Sequence, residues 1–380
     1  MSVDSLKEKL IIIVLGTLKG MGGAERQAIL LAENFKKKGL LVKIVAFTGG
    51  NAEALLKQKN IDYHIYHFNG YQPLKKNIIP LIRLIFFLRK LGPYAFIPFI
   101  TLNSKYIGLI WRFTGAKFAC WNQRDEGREI YGSRLEKISA NNVPIIISNS
   151  FAGRDAIVDK IGIVKSKIKV INNGIEIPNA GDKRINWHTE LKLDEKSILV
   201  TMLASIYKFK DHTTLLKAWE IVMKEFEHSI NNPVLILAGA FKGMENQLKV
   251  LCFDLKIAQS VHFIGVTPFT NSLIEASELV VHSSNKEGCP NAVLEAMALA
   301  KPVVATNISG NLQALGTTHE ELCLNFQNDH IDLAAKILCI LRNKILGNEI
   351  GAYNQKRART EFSISKMVDS YINLVSEYTT

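Results

Sequence analysis

Residues 287–304 read EGCPNAVLEAMALAKPVV. Glu287 opens the stretch, a Gly-Cys-Pro-Asn turn follows, and Glu295 sits eight positions later inside an otherwise apolar helix. A helix start has unpaired backbone N–H groups and a partial positive charge, which makes it a seat for phosphate. Pro290 suits the first helical position, where no N–H is needed, so Asn291, Ala292 and Val293 are expected to offer theirs to an anion. Carboxylates do not suit phosphate, but they accept hydrogen bonds from sugar hydroxyls. The neighbours of Glu295, from Val293 to Leu299, are all apolar. Its carboxylate therefore needs a partner such as a ligand hydroxyl.

Outward from this stretch, β-rich runs alternate with helical patterns along the whole chain. LIIIVLG (10–16), LVKIVAF (41–47), IDYHIYHF (61–68), AFIPFI (95–100), KFACW (117–121) and VPIIIS (143–148) read as strands. Helices are expected between several of them, near 23–38, 51–59, 77–91, 104–114 and 151–160. The pattern restarts with SILVTMLA (197–204), PVLILAG (233–239), SVHFIG (260–265), LVVHS (279–283) and PVVAT (302–306). Helices near 211–227, 243–257 and 290–299 separate these. Continuous Ile/Val strands with helical crossovers predict parallel sheets covered on both faces. The polar passage 178–197 reads as a linker. The division expected is 1–180, 181–362 and a closing amphipathic helix 363–380 returning to the first domain. The fold class is α/β, with two doubly wound domains and ligands at strand carboxyl ends.

Composition narrows the function. The chain has 380 residues, 47% hydrophobic and 22% charged, enough for two cores. Its five cysteines show no paired spacing, which favours a reduced, cytoplasmic protein over a disulfide or zinc framework. The nine histidines form no ligand cluster, so no metal is expected. The first apolar run is short and follows acidic residues, so it reads as a strand rather than a signal peptide. Nothing resembles a membrane span. Residues 1–180 hold 27 Lys and Arg against 13 Asp and Glu, while the remainder holds 20 against 22. Nucleic acid is one reading of that excess. KKNIIPLIRLIFFLRKLGPY (75–94) mixes its bases with Ile, Leu and Phe, as at an anionic membrane surface. The alternative is a buried helix with snorkelling ends.

Two loops complete the candidate site. GTLKGMGGAERQ (16–27) follows the first strand and opens a helix. It fails the dinucleotide pattern G-x-G-x-x-G, because Glu25 stands where the last glycine would be and no acid ends the second strand. Lys208 and Lys210 lie between a strand and a helix, placed to meet a diphosphate.

At this point EGCPNAVLEAMALAKPVVAT resembles the E-x7-E region of family-4 retaining glycosyltransferases, whose GT-B fold sets two Rossmann-like domains facing each other. GGAERQ, ISNSFAGRD (147–155), VINNGIE (170–176) and the Lys210-Asp211-His212 turn support the likeness, which spans roughly residues 10–375. It implies a UDP- or GDP-sugar donor held mainly by the second domain, and a saccharide acceptor. Glu287 would contact the transferred sugar and Glu295 the ribose. Gly288 and the backbone of Asn291, Ala292 and Val293, with Lys210 and Lys208, would hold the diphosphate, and Gly22 and Gly23 would face the donor. Glu287 and Lys210 are the residues expected to carry catalysis, with no metal or other cofactor. The basic first half implies a lipid-linked acceptor at the inner face of a membrane, in surface polysaccharide synthesis.

The chain departs from the family at three places. Ser205, Ile206 and Tyr207 stand where an arginine is common, Thr101–Ser104 where a histidine is common, and Gln313 where a glutamate is usual. A non-catalytic sugar-nucleotide-binding protein, an epimerase or a phosphorylase on the same architecture are the alternatives.

Overall fold

The computed structural model describes residues 6–177 and 184–379. They form two compact units: residues 1–174 with 364–380, and residues 175–363.

The first unit contains β1 (Ile11–Leu15), β2 (Val42–Ala46), β3 (Asp62–Ile65), β4 (Ala95–Pro98), β5 (Phe118–Gln123), β6 (Ile145–Ser148) and β7 (Ile168–Val170), in the order β3-β2-β1-β4-β5-β6-β7. All its pairings are parallel. β1 is buried throughout. Ile11, Ile13 and Leu15 join one core, while Ile12 and Val14 join another on the opposite face. A strand covered on both sides must be apolar at every position, and IIIVL is. The closing helix Ile364–Glu377 packs Met367, Val368, Tyr371, Ile372, Leu374 and Val375 into the first of these cores.

The second unit repeats the topology. β8 (Ile198–Leu203), β9 (Pro233–Ala238), β10 (Val261–Gly265), β11 (Leu279–His282), β12 (Val303–Thr306) and β13 (Leu324–Asn325) run β10-β9-β8-β11-β12-β13, again all parallel. In each sheet the chain moves outward over three strands and then crosses to the other side of the first. The switch points therefore lie between β1 and β4 and between β8 and β11, where crevices open at the strands' carboxyl ends.

Several expectations need correction. The first unit closes at Gly174 rather than 180, because the Ile175 amide donates to Phe362 O (2.8 Å) and Ile175 bridges Ser363. Of the passage 178–197, residues 178–183 lie outside the described residues, and the rest is not a free linker. Trp187 is buried in the second core, and the Ile185 amide donates to Ser272 Oγ (2.7 Å). The basic helix begins at Leu74, not 77. β7, β13 and the helices Arg134–Asn142, His330–Arg342 and Lys344–Glu361 are additional to those read from the sequence.

Candidate active site

The second switch point is assembled from two loops. After β8 the chain turns through Ala204–Lys210. Gly239, just past β9, permits this: a Cβ there would lie 2.1 Å from Ala204 O and 2.8 Å from Ser205 N. Lys208–Lys210 form a 3-10 turn, with the Lys210 amide donating to Tyr207 O (2.9 Å). Asp211 then adopts a left-handed conformation (φ 39°, ψ 46°) and caps the helix His212–Glu225 by accepting from the Thr214 amide (3.3 Å).

After β11 the second loop is tied down on both sides. The Ser284 amide donates to Thr306 Oγ1 (3.1 Å), and the Asn285 amide donates to Phe209 O (2.9 Å). This link between loops brings Lys210 Nζ onto Glu287 Oε1 in a salt bridge. His282 Nε2 (3.0 Å) and Ser284 Oγ (3.1 Å) reach the same oxygen. None of these contacts uses Oε2, so one carboxylate oxygen is anchored and the other stays available as an acceptor.

The electrostatics follow from burial and proximity. Burial opposes the charge on Glu287, but the Lys210 ammonium and the His282 hydrogen bond outweigh it and hold the carboxyl well below the usual carboxylate range. Burial pulls His282 down from its ordinary value, against the pull of Glu287. The neutral imidazole must then donate from Nε2 to the carboxylate, leaving Nδ1 as a bare lone pair, and that atom has no partner. His212 is pushed down to about 4 by burial, with Lys210 and His282 adding to it.

Helix Asn291–Ala298 follows the turn. Pro290 is its cap, at φ −78° and ψ 104°, rather than its first helical residue as expected, since that extended ψ does not continue the helix. The Leu294 amide donates to Pro290 O (3.2 Å), placing the N–H groups of Asn291, Ala292 and Val293 in the turn ahead of it. Glu295 is 6% exposed. Gly310 lies against the turn: a Cβ there would be 2.5 Å from Glu287 O and 2.6 Å from Gly288 O. Lys208 is exposed, with its ammonium 4.9 Å from the Phe209 ring centre, and does not join the Lys210–Glu287 contact. The Arg357 side chain donates to the backbone oxygens of Gln313 (2.9 Å) and Ala314 (2.8 Å).

Gly22 and Gly23 belong to the first unit. Gly22 caps helix Gly23–Lys37 with φ −68°, so neither a left-handed turn nor strain calls for glycine there. Gln27, from the same motif, is buried and exchanges two hydrogen bonds with the Gly174 backbone (2.9 and 3.0 Å). GGAERQ and VINNGIE are thereby fastened together. Past β4, Ile100 holds φ 69° and ψ 160°, a region that β-branched residues enter only under strain of order 1–3 kcal/mol. Behind it Thr101 donates to Gln123 (3.0 Å), Asn103 to Phe99 O (2.7 Å) and Ser104 to Ile100 O (2.8 Å). Buried Arg124 lies under Phe99 and reaches Tyr371 Oη (3.2 Å) and Asn173.

His282, Ser284, Gly310 and Arg124 were not singled out from the sequence. A histidine ending an all-buried strand beside a switch point is a usable signal; the close approach at Gly310 has none. Among the described residues no three His, Cys, Asp or Glu side chains are grouped to hold a metal.

Comparison with known proteins assigns the family. Residues 183–357 match the model of glycosyl transferases group 1, and residues 21–177 match that of glycosyltransferase family 4. An uncharacterized glycosyltransferase of Haemophilus influenzae is 26% identical over 85% of this chain and 87% of its own. The UDP-Gal:alpha-D-GlcNAc-diphosphoundecaprenol alpha-1,3-galactosyltransferase of Escherichia coli is 22% identical over 63% of each. Other curated relatives align over about half their own length, such as a Methanocaldococcus jannaschii glycosyltransferase at 49%. The crystal structure of Anabaena HepE with UDP-glucose superimposes with TM-score 0.81 at 20% identity, over 97% of this chain and 99% of that one. Staphylococcus aureus TarM gives 0.76 at 16%, over 97% and 98%. These neighbours establish the GT-B fold, and the chain is a glycosyltransferase of the family-4 type, related to enzymes of polysaccharide and lipid-linked saccharide synthesis.

Proposed function

We propose that the protein moves a hexosyl unit from a UDP- or GDP-sugar to a lipid-linked saccharide, with retention at the anomeric carbon, at the cytoplasmic face of a membrane. The carrying observation is Glu287, anchored through Oε1 by Lys210, His282 and Ser284 while Oε2 is left for a sugar hydroxyl. A diphosphate arriving at the start of helix Asn291–Ala298 competes with Glu287 for the Lys210 ammonium. As the glycosidic bond breaks, that ammonium and the helix-start N–H groups stabilise the leaving diphosphate without a metal. A preorganised donor of this kind is worth ~3–4 kcal/mol in the transition state. Retention follows a front-face path, with the departing phosphate accepting the acceptor's proton. Similarity to a structure holding UDP-glucose and to relatives named for diphosphoundecaprenol acceptors supports this reading.

Calorimetry with UDP, GDP and their sugar conjugates in the presence of chelator tests the donor. Binding of one series, with turnover on a matching lipid-linked acceptor falling about 10²-fold or more in Glu287→Gln and Lys210→Met, is the expected result. Donor binding without turnover on any credible acceptor points instead to the non-catalytic reading, which the missing arginine at Ser205–Tyr207 favours. Near-normal turnover in either variant removes that residue from the mechanism.

A further inference from the structure

We propose that the outward face of helix Leu74–Lys90, with the adjoining turn Trp111–Thr114, lies in the plane of an anionic lipid bilayer. The helix is two-faced. Leu84 and Leu88 are buried in the core with Ile110 and Trp111, while Ile78, Ile79, Ile82 and Phe86 point to solvent, Ile79 at 64% and Phe86 at 67% exposure. Positions 75, 79, 82 and 86 share one stripe at helical spacing. Phe113, on the adjoining turn, is also exposed. Lys75, Lys76, Arg83, Arg89 and Lys90 are exposed on the same helix.

Charge selects the occupant. Residues 63–124 contain nine Lys and Arg and no Asp or Glu at all. A second copy of this face would bring like charges together, which disfavours self-association. A nucleic acid would use the cations but leave large Ile and Phe side chains in water. An anionic bilayer accommodates both: apolar side chains enter the acyl boundary and the cations meet the headgroups. Among the described residues no helix is long and apolar enough to cross a membrane, so the contact is in-plane.

Placement gives the surface a purpose. The helix follows β3, so its first turn, with Lys75 and Lys76, stands at the carboxyl edge of the sheet, where the first unit's crevice opens. Exposed Tyr71 precedes it, an amphipathic ring suited to the headgroup level. Docking there brings lipid headgroups to the unit's ligand edge. This purpose rests on the lipid-linked acceptor reading, although the surface itself does not.

The test is flotation of the full chain with phosphatidylcholine vesicles, with and without phosphatidylglycerol. The wild type should float only with the anionic vesicles and lose binding as salt rises from about 0.1 to about 1 M. Replacing Lys75 or Arg83 by Glu should weaken partitioning about fivefold each or more. Ile79→Glu with Phe86→Glu should weaken it about tenfold or more at low salt. Melting temperature and nucleotide binding should not change in these exposed-site variants. Failure of the wild type to float with anionic vesicles at low salt overturns the proposal, and so does wild-type partitioning by the folded Ile79/Phe86 variant. Displacement of vesicles by single-stranded DNA would assign the face to nucleic acid, and a dimer broken by Phe86→Glu without vesicle binding would assign it to a second copy. Each replaces the proposal. Because flotation needs neither donor nor acceptor, vesicle binding by a chain that transfers nothing keeps the surface and drops the acceptor reading. Transfer to a lipid acceptor by a chain that never floats does the reverse.

Discussion

His212 and His282 sit within the charged cluster around Lys210 and Glu287, and both are held neutral by burial. In the unfolded chain His212 takes up its proton near its ordinary value of 6.5, whereas in the fold it resists until about 4. Between those values the unfolded state binds more protons, so stability is complete above about pH 6.5 and drains away as pH falls toward 4. For His212 the difference amounts to about 3 kcal/mol. Glu287 works in the same sense over a lower window: its depressed carboxyl contributes stability that is complete above its ordinary value of 4.5 and is lost as the pH falls further. Thermal melts of His212→Gln should therefore lose less between pH 7 and about pH 4.5 than the wild type. An unchanged slope would show that another group sets the acid limit. At this scale the sequence showed the carboxylates and lysines because their neighbours are apolar or loop-forming. It did not show that three donors converge on one oxygen, since Lys210, His282 and Ser284 meet only once β8 and β11 are paired.

Elements were legible in proportion to their hydrophobic period. The central strands of both sheets read directly, because IIIVL and its buried counterparts are apolar on both faces, whereas the edge strands β3 (DYHI) and β10 (VHFIG) are less buried. β7 and β13 are three and two residues long and carry no pattern. Helix Arg134–Asn142 is mostly polar; its signal is the Ser133–Glu136 capping box. Helix Lys344–Glu361 escaped for a different reason. Its buried face includes Gly347, Gly351, Asn354 and Ala358, small or polar residues rather than an apolar stripe. A Cβ at Gly351 would lie 2.1 Å from Ala300 O, so this helix presses directly on the end of Asn291–Ala298. Close approach of backbones leaves little trace in hydropathy. Gly310 makes the same point beside the turn 287–288. Gly310→Ala should cost about 1–3 kcal/mol by overpacking, with turnover falling because the Glu287 backbone must move. Chemical denaturation and kinetics on one preparation check both, and unchanged stability would show that the turn yields freely.

The whole molecule is two units of which the first is discontinuous. Helix Ile364–Glu377 contributes five apolar side chains and Tyr371 to the core of a unit that begins at the other end of the chain. At ~2 kcal/mol per buried side chain this is ~10 kcal/mol, comparable with the stability of an entire domain. A chain ending at Ser363 should therefore lose the cooperative unfolding of the first unit while keeping that of the second. Calorimetry showing two undiminished transitions would mean that the helix is an accessory. The two doubly wound units, with ligands at strand carboxyl ends, are expected from the sequence's two β/α series, while the strand order within each sheet comes from the structure. The closing helix is expected to return to the first unit, and its core side chains lie there, although amphipathicity alone says that a helix docks and not onto what.

That return reverses the usual timetable of a growing polypeptide. On a ribosome, residues 1–174 emerge first yet lack the helix that seals their core, and they must wait while residues 175–363 are made, about 10–40 s at ordinary elongation rates. The inserted unit, complete in itself, can reach its native state ahead of the one that precedes it. The newborn first unit meanwhile keeps the apolar seat of Met367 to Val375 uncovered, the interval in which a chaperone has something to hold.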